Sequence, residues 1–213
     1  MNTPRLKDQI KQVFLRTFAY DNIVLAQGLG LCPIIAAGVS LQKGVALTVC
    51  TAIALIPCSL LMSVWGKKLG IMRTPLYSVL AMALMVGCQW VLRQYFPELS
   101  ASLYIFLPLM SVNTLFTYRA GGFSVGRHPL VALTDAVGTS LGFGLVICIV
   151  SALRELAIDG ALWGVPMGYA ARFPEAAYPF AAFILIGFGA AILQQLKKRY
   201  SHTMETEEAI IGE

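Results

Sequence analysis

Three side chains stand where chemistry could be done inside an apolar chain: Cys32, Thr114 and Asp135. Cys32 lies in AQGLGLCPIIAAG, residues 26–38, which also carries Gly28, Gly30, Pro33 and Gly38. Pro33 lacks a backbone donor and its ring clashes with the turn before it, so the helix is expected to break or kink there. In lipid an opened backbone persists only where protein buries it or where it lines a cavity. A broken helix carrying a soft thiol near the midplane therefore reads as a functional site, and a small side chain packed beside Pro33 is the plainer reading. Thr114 follows Asn113 shortly after Pro108 in IFLPLMSVNTLF, which makes a second candidate break. The hydroxyl and amide there either bond freed backbone groups or help to hold a cofactor. Asp135 lies near the start of a later apolar segment. A charge within a span is costly and often functional, so it is a candidate for a cation path; a helix cap or a pair with Arg127 is the alternative.

The elements that must position these residues follow from composition. Of 213 residues 57% are hydrophobic and 13% charged, with a mean hydropathy of +0.72. The charged share is about half the ~25% of soluble domains, so this is an all-α integral membrane protein. The formal charge of +5 does not point to nucleic acid, because the basic residues cluster in short loops between apolar runs. Five cysteines fall inside apolar segments with no C-x-x-C, so they form neither a disulfide framework nor a zinc pattern.

Six apolar segments, about 23–41, 44–65, 74–95, 101–118, 130–153 and 177–196, each approach the ~20 residues needed to cross a bilayer. Residues 1–21 read as an amphipathic helix on the membrane surface, not a cleaved signal peptide, 22–198 as the membrane domain, and 199–213 as a disordered acidic cytoplasmic tail. Residues 154–176 form the longest loop. Twelve of the 16 basic residues fall on one side of this topology, which puts both termini in the cytoplasm. Six spans divide into two groups of three, about 22–96 and 100–198, entering from opposite sides. Matching interruptions in the first and fourth spans point to an inverted repeat with a site between its halves. Cys32 and Thr114 are then both roughly 15–20 Å deep, at mid-membrane. Arg154 and Glu155 read as a structural ion pair or subunit contact, and Gly138, Gly142 and Gly144 as close helix packing.

Several stretches together resemble a known family: GLGLCP at 28–33, YFPELSASLYIFLPLMSVN at 95–113, LTDAVGTSLGFG at 133–144 and ALRELAIDGALWG at 152–164. The chain looks like the RnfE/NqrD-type subunit of the Rnf and Na⁺-Nqr electron-transport complexes, over essentially its whole length to about residue 198. The resemblance implies a subunit of a redox-driven ion translocase in a bacterial or archaeal cytoplasmic membrane, not catalytic alone. It implies pairing with a homologous six-span subunit of opposite orientation. Each member of such a pair gives two cysteines to a shared mid-membrane [2Fe-2S] cluster, through which electrons pass, coupled to Na⁺ or H⁺ movement. Cys32 matches the first family cysteine. The second falls at Thr114, where the family has cysteine, and a neutral hydroxyl is a poor substitute for a thiolate on iron. A cofactor-free scaffold, or a carrier of a small solute or ion with the same inverted repeat, is the rival reading.

Overall fold

Glycine, not proline, opens the first apolar segment. The computed structural model describes residues 13, 14, 17, 23–166 and 173–211. Within it, helix α1 (Ile23–Gln27) ends at Gly28, and α2 (Leu31–Ala37) begins after Gly30. Gly28 and Gly30 have φ of +67° and +79°, a backbone only glycine adopts without strain. Pro33 is the third residue of α2, in the first turn, where no intrahelical partner awaits its missing N–H. The break expected at Pro33 is thus displaced to the glycines before it.

Helix α3 (Leu41–Leu69) and helix α4 (Arg73–Tyr95) follow, joined through a tight turn at Gly70–Met72. Together they form one of two apolar stretches among the described residues long enough to cross a bilayer, Leu41–Tyr95 at 55 residues. The two halves fold back on each other, since the Cys58 thiol of α3 reaches the Tyr77 carbonyl of α4 at 3.8 Å. The separation read at Gln42 and Lys43 instead lies at Gly38–Ser40, and both side chains belong to the first turn of α3.

The next segment is the most interrupted. Helix α5 (Pro97–Leu103), α6 (Phe106–Met110) and α7 (Thr114–Tyr118) lead into a wide turn at Arg119–Phe123. The axis bends by 52° between Leu103 and Phe106. Pro108 explains the place: four residues back is Tyr104, whose carbonyl it cannot bond and which its ring would crowd. Taken as one span, this bent pair is a third long apolar element.

Helix α8 (Pro129–Asp159) is the second uninterrupted one of spanning length. It runs six residues past the expected end at 153, so Arg154 and Glu155 are helical. It packs along α3 through small side chains. Gly144 abuts the Thr48 side chain, and a Cβ built on Gly44 would fall 2.9 Å from Ser151 Oγ. Replacing Gly144 with Leu forces α3 and α8 apart. We expect a loss of about 1–3 kcal/mol, read as a lower unfolding temperature in detergent.

The loop after α8 departs from the all-α reading in one detail. Ala161–Leu162 (β1) pairs antiparallel with Val165–Pro166 (β2). Trp163 and Gly164 between them both have positive φ, the geometry that fits a two-residue hairpin turn. A short turn at Pro174–Ala177 precedes helix α9 (Pro179–Ile211). Its apolar part is Pro179–Gln195, and it continues as helix through most of the segment read as a disordered tail. The METEEAII run there consists mostly of good helix formers. The amphipathic helix read over 1–21 lies outside the described residues, apart from positions 13, 14 and 17.

Candidate functional site

The two backbone breaks, far apart in sequence at Gly28–Gly30 and Ser111–Asn113, meet in space. Gly30 is buried, and a Cβ added to it would sit 3.4 Å from Leu115 Cδ1 and 3.6 Å from the Phe143 ring. Leu29 and Thr114 line one cleft of about 640 Å³, together with Tyr77 and Thr117. The Tyr77 hydroxyl donates to Thr117 Oγ1 across that cleft at 3.0 Å.

At the second break Asn113 has extended backbone and caps α7. Its side-chain oxygen accepts from the Leu115 amide at 3.1 Å and from Thr114 Oγ1 at 3.2 Å. Its amide nitrogen donates to Met110 Sδ at 3.5 Å. This is the plainer of the two roles read for the polar pair, a cap that satisfies backbone donors opened by the break. Cys32 and Thr114 are both exposed, so this chain alone encloses neither.

The donors can be tested against the cluster that the resemblance implies. A [2Fe-2S] cluster takes four thiolates. Among the described residues no group of three or more His, Cys, Asp or Glu side chains is gathered for a metal. At the joined breaks this chain offers the Cys32 thiol and the Thr114 hydroxyl. Cys32 fits as a thiolate ligand; the hydroxyl at 114 does not, so the chain supplies half the donors that a two-cysteine share requires.

Asp135 is fully buried and lies two turns inside α8, not at its cap. Its partner is Arg119 of the wide turn, with Nη1 2.6 Å from Oδ1, and Thr17 Oγ1 donates to the same oxygen at 3.0 Å. The pair with Arg127 does not form; Arg127 instead lies over the Phe123 ring at 3.8 Å. Among the described residues Asp135 Oδ2, Arg119 Nε and Thr139 Oγ1 are buried without a partner. No periodicity argument finds Arg119, which reads as one more basic loop residue.

Arg154 and Glu155 do not pair with each other. Arg154 is 1% exposed and donates to carbonyls on two sides. Nη1 reaches Ile35 at 3.0 Å and Gly38 at 3.2 Å, at the end of α2. Nε and Nη2 reach Ala176 at 3.0 Å, Ala177 at 2.7 Å and Tyr178 at 3.5 Å. Glu155 accepts from the Leu41 amide at 2.7 Å, capping α3, and from the Gly164 amide at 2.8 Å, in the hairpin turn. The two side chains thereby fix the end of the Cys32 helix to α8, α3 and the loop. Their charge beside a span end was the only signal of this in the sequence.

The chain is similar to known proteins over most of its length. The family described as "Rnf-Nqr subunit, membrane protein" matches residues 10–190. One relative, from the ion-translocating oxidoreductase complex of Methanosarcina acetivorans, is 28% identical over 150 residues, 70% of each chain. Another, from the Na⁺-translocating ferredoxin:NAD⁺ oxidoreductase complex of Acetobacterium woodii, is 29% identical over 182 residues, covering 84% of this chain and 93% of its own. A third, from the Na⁺-translocating NADH-quinone reductase of Serratia proteamaculans, is 27% identical over 160 residues, covering 75% of this chain and 77% of its own. Each of the three is named as one subunit of its complex.

Proposed function

The chain belongs to the Rnf-Nqr family of membrane subunits, and from that premise we propose that it is one integral subunit of an ion-translocating electron-transport complex. Its partners are the other subunits of that complex. Its six apolar segments cross a cytoplasmic membrane as two inverted three-helix repeats, with the segments 23–41 and 101–118 broken at mid-depth and both termini in the cytoplasm. Cys32 is this chain's ligand to a [2Fe-2S] cluster shared with a homologous subunit of opposite orientation. When bound, such a cluster supplies one-electron transfer between carriers on the two faces, coupled to Na⁺ or H⁺ movement.

The observation that carries this reading is the meeting of the two breaks with Cys32 left exposed beside them. A mid-membrane thiol that its own fold leaves open is suited to a partner's ligand set. This chain's own residues do three things there. Gly28 and Gly30 turn the backbone so that α2 starts at the thiol. Asn113 satisfies the Leu115 amide at the second break. The buried Asp135, with Arg119 and Thr17 around it, is the candidate for the ion path.

Iron content and electron paramagnetic resonance of the dithionite-reduced complex test the assignment. Wild type is expected to give a two-iron signal that Cys32→Ala abolishes and Thr114→Cys strengthens. A complex that assembles with its subunits and shows the same iron and spectrum in wild type and Cys32→Ala sinks it. Thr114 favours one rival reading, a subunit that keeps the fold as a cofactor-free scaffold or carrier, and that outcome would select it.

A further inference from the structure

Away from the joined breaks, α3 and α4 flank an open apolar groove of about 1080 Å³. It runs along α3 from Gln42 to Ile53 and along α4 from Ala83 to Tyr95. Those stretches rise about 16 and 18 Å as helix, close to half of the ~30 Å hydrocarbon core of a bilayer. The groove thus has the length of one leaflet. Its wall is open at Gly87, where an added Cβ would meet no atom within 4 Å. The mouth, at the Leu41 and Tyr95 ends of the two helices, has a different chemistry. Trp90, Tyr95 and Trp163 line it, each half or more exposed. Gln42 Nε2 donates to the Trp163 carbonyl at 3.4 Å, which ties the hairpin turn to the start of α3. Tryptophan and tyrosine, each with an apolar body and a polar tip, are the side chains of the bilayer interface. Glu98, in the first turn of α5, is the one charged residue in the lining, and it has no ion-pair partner among the described residues.

We propose that this groove is a site for one phospholipid with an ammonium headgroup, phosphatidylethanolamine. One acyl chain lies between α3 and α4 and passes over Gly87. The indole and phenol donors at the mouth meet the ester and phosphate oxygens, and the headgroup ammonium donates to the Glu98 carboxylate. Three observations choose this occupant. The groove ends one leaflet deep, which suits a chain anchored at the interface, whereas a partner's spanning helix would lie in it for only half of its length. Its polar groups are gathered at the mouth, as a lipid's are. Its single charge is negative, so a cationic headgroup is attracted, an anionic one is repelled, and a neutral quinone leaves Glu98 unanswered.

The test uses the full chain in its complex, reconstituted in bilayers of equal phosphatidylethanolamine and phosphatidylglycerol. A trace of either lipid with a photoactivatable diazirine midway along one acyl chain is the probe, and adducts are mapped by digestion and mass spectrometry. In wild type, adducts on residues 45–53 and 83–91 are expected to be more frequent with the ethanolamine probe than with the glycerol probe. A solvated ion pair is a modest attraction, so the expected ratio is about two- to fivefold. Glu98→Gln is expected to bring that ratio to one. Gly87→Leu fills space that no atom of this chain occupies, so it leaves the fold intact and is expected to remove the adducts of both probes. Groove stretches that neither probe labels in wild type overturn the proposal, because protein then covers the groove. So do equal yields from the two probes, a ratio unchanged in Glu98→Gln, or adducts that persist in Gly87→Leu.

Discussion

Asp135→Ala is expected to cost the chain roughly 3–5 kcal/mol, because it leaves the Arg119 guanidinium buried beside no counter-charge. Arg119 is 4% exposed and Asp135 wholly buried, so water does not replace the lost carboxylate. The two aromatic rings near the guanidinium, Tyr118 at 5.5 Å and Phe123 at 5.6 Å, offer only weak compensation. The measurement is the unfolding temperature of the purified complex in detergent, with the amount of this subunit in membranes alongside. Arg119→Met should cost a similar amount for the converse reason, an orphaned buried carboxylate. The double variant Arg119→Met/Asp135→Leu should recover most of the loss, since a pair replaced by apolar side chains is often neutral, whereas a broken pair is not. Additive losses in the double variant would mean that the two residues are not coupled.

That cycle also separates structure from transport. If Asp135 serves only to hold the wide turn at Arg119–Phe123 onto α8, the recovered double variant pumps ions as wild type does. If its carboxylate lies on the ion path, the double variant assembles and passes electrons but moves no Na⁺ or H⁺. The second outcome is the one the proposed function requires. Asp135 Oδ2 and Thr139 Oγ1, one turn apart on α8 and both unpartnered among the described residues, are the atoms such a path would use.

Much of this was legible in the sequence, and the misses have two causes. The interruptions in 23–41 and 101–118 could be read because glycine and proline act locally. Their exact places could not, because proline is harmless in a first turn and disruptive four residues upstream. Pro33 and Pro108 fall on opposite sides of that rule. The resemblance paired Cys32 with position 114, and in the fold the neighbouring Gly30 packs against Leu115. Arg119 with Asp135 and Arg154 with the end of α2 are long-range pairs. No periodicity fixes which side chains two separate helices turn toward each other.

Arg154→Lys is expected to be nearly as damaging as Arg154→Met, and that near-equality is the informative result. A single ammonium keeps the charge but is one point. The native side chain donates on one edge to Ile35 and Gly38, and on the other to Ala176, Ala177 and Tyr178. Only a planar fork spans both sets. The carbonyls of Ile35 and Gly38 are the orphan acceptors at the end of α2, with no water to take over at a residue 1% exposed. Hydrogen bonds to a charged group are worth about 1.5–3 kcal/mol each, and they do not add fully, so a loss of roughly 3–5 kcal/mol is the scale for either variant. Thermal unfolding in detergent measures it. A lysine variant as stable as wild type would mean that charge, not the fork, is what the site needs. The same change should reach the proposed electron site. With its far end released, the seven-residue α2 is held only through Gly30 and its own packing, so Cys32 loses its fixed place. In membranes where the lysine variant still assembles, a broadened or diminished two-iron signal beside unchanged subunit content would mark Arg154 as the residue that positions the thiol. An unchanged spectrum would confine its role to holding the end of α2 to the loop at Ala176–Tyr178.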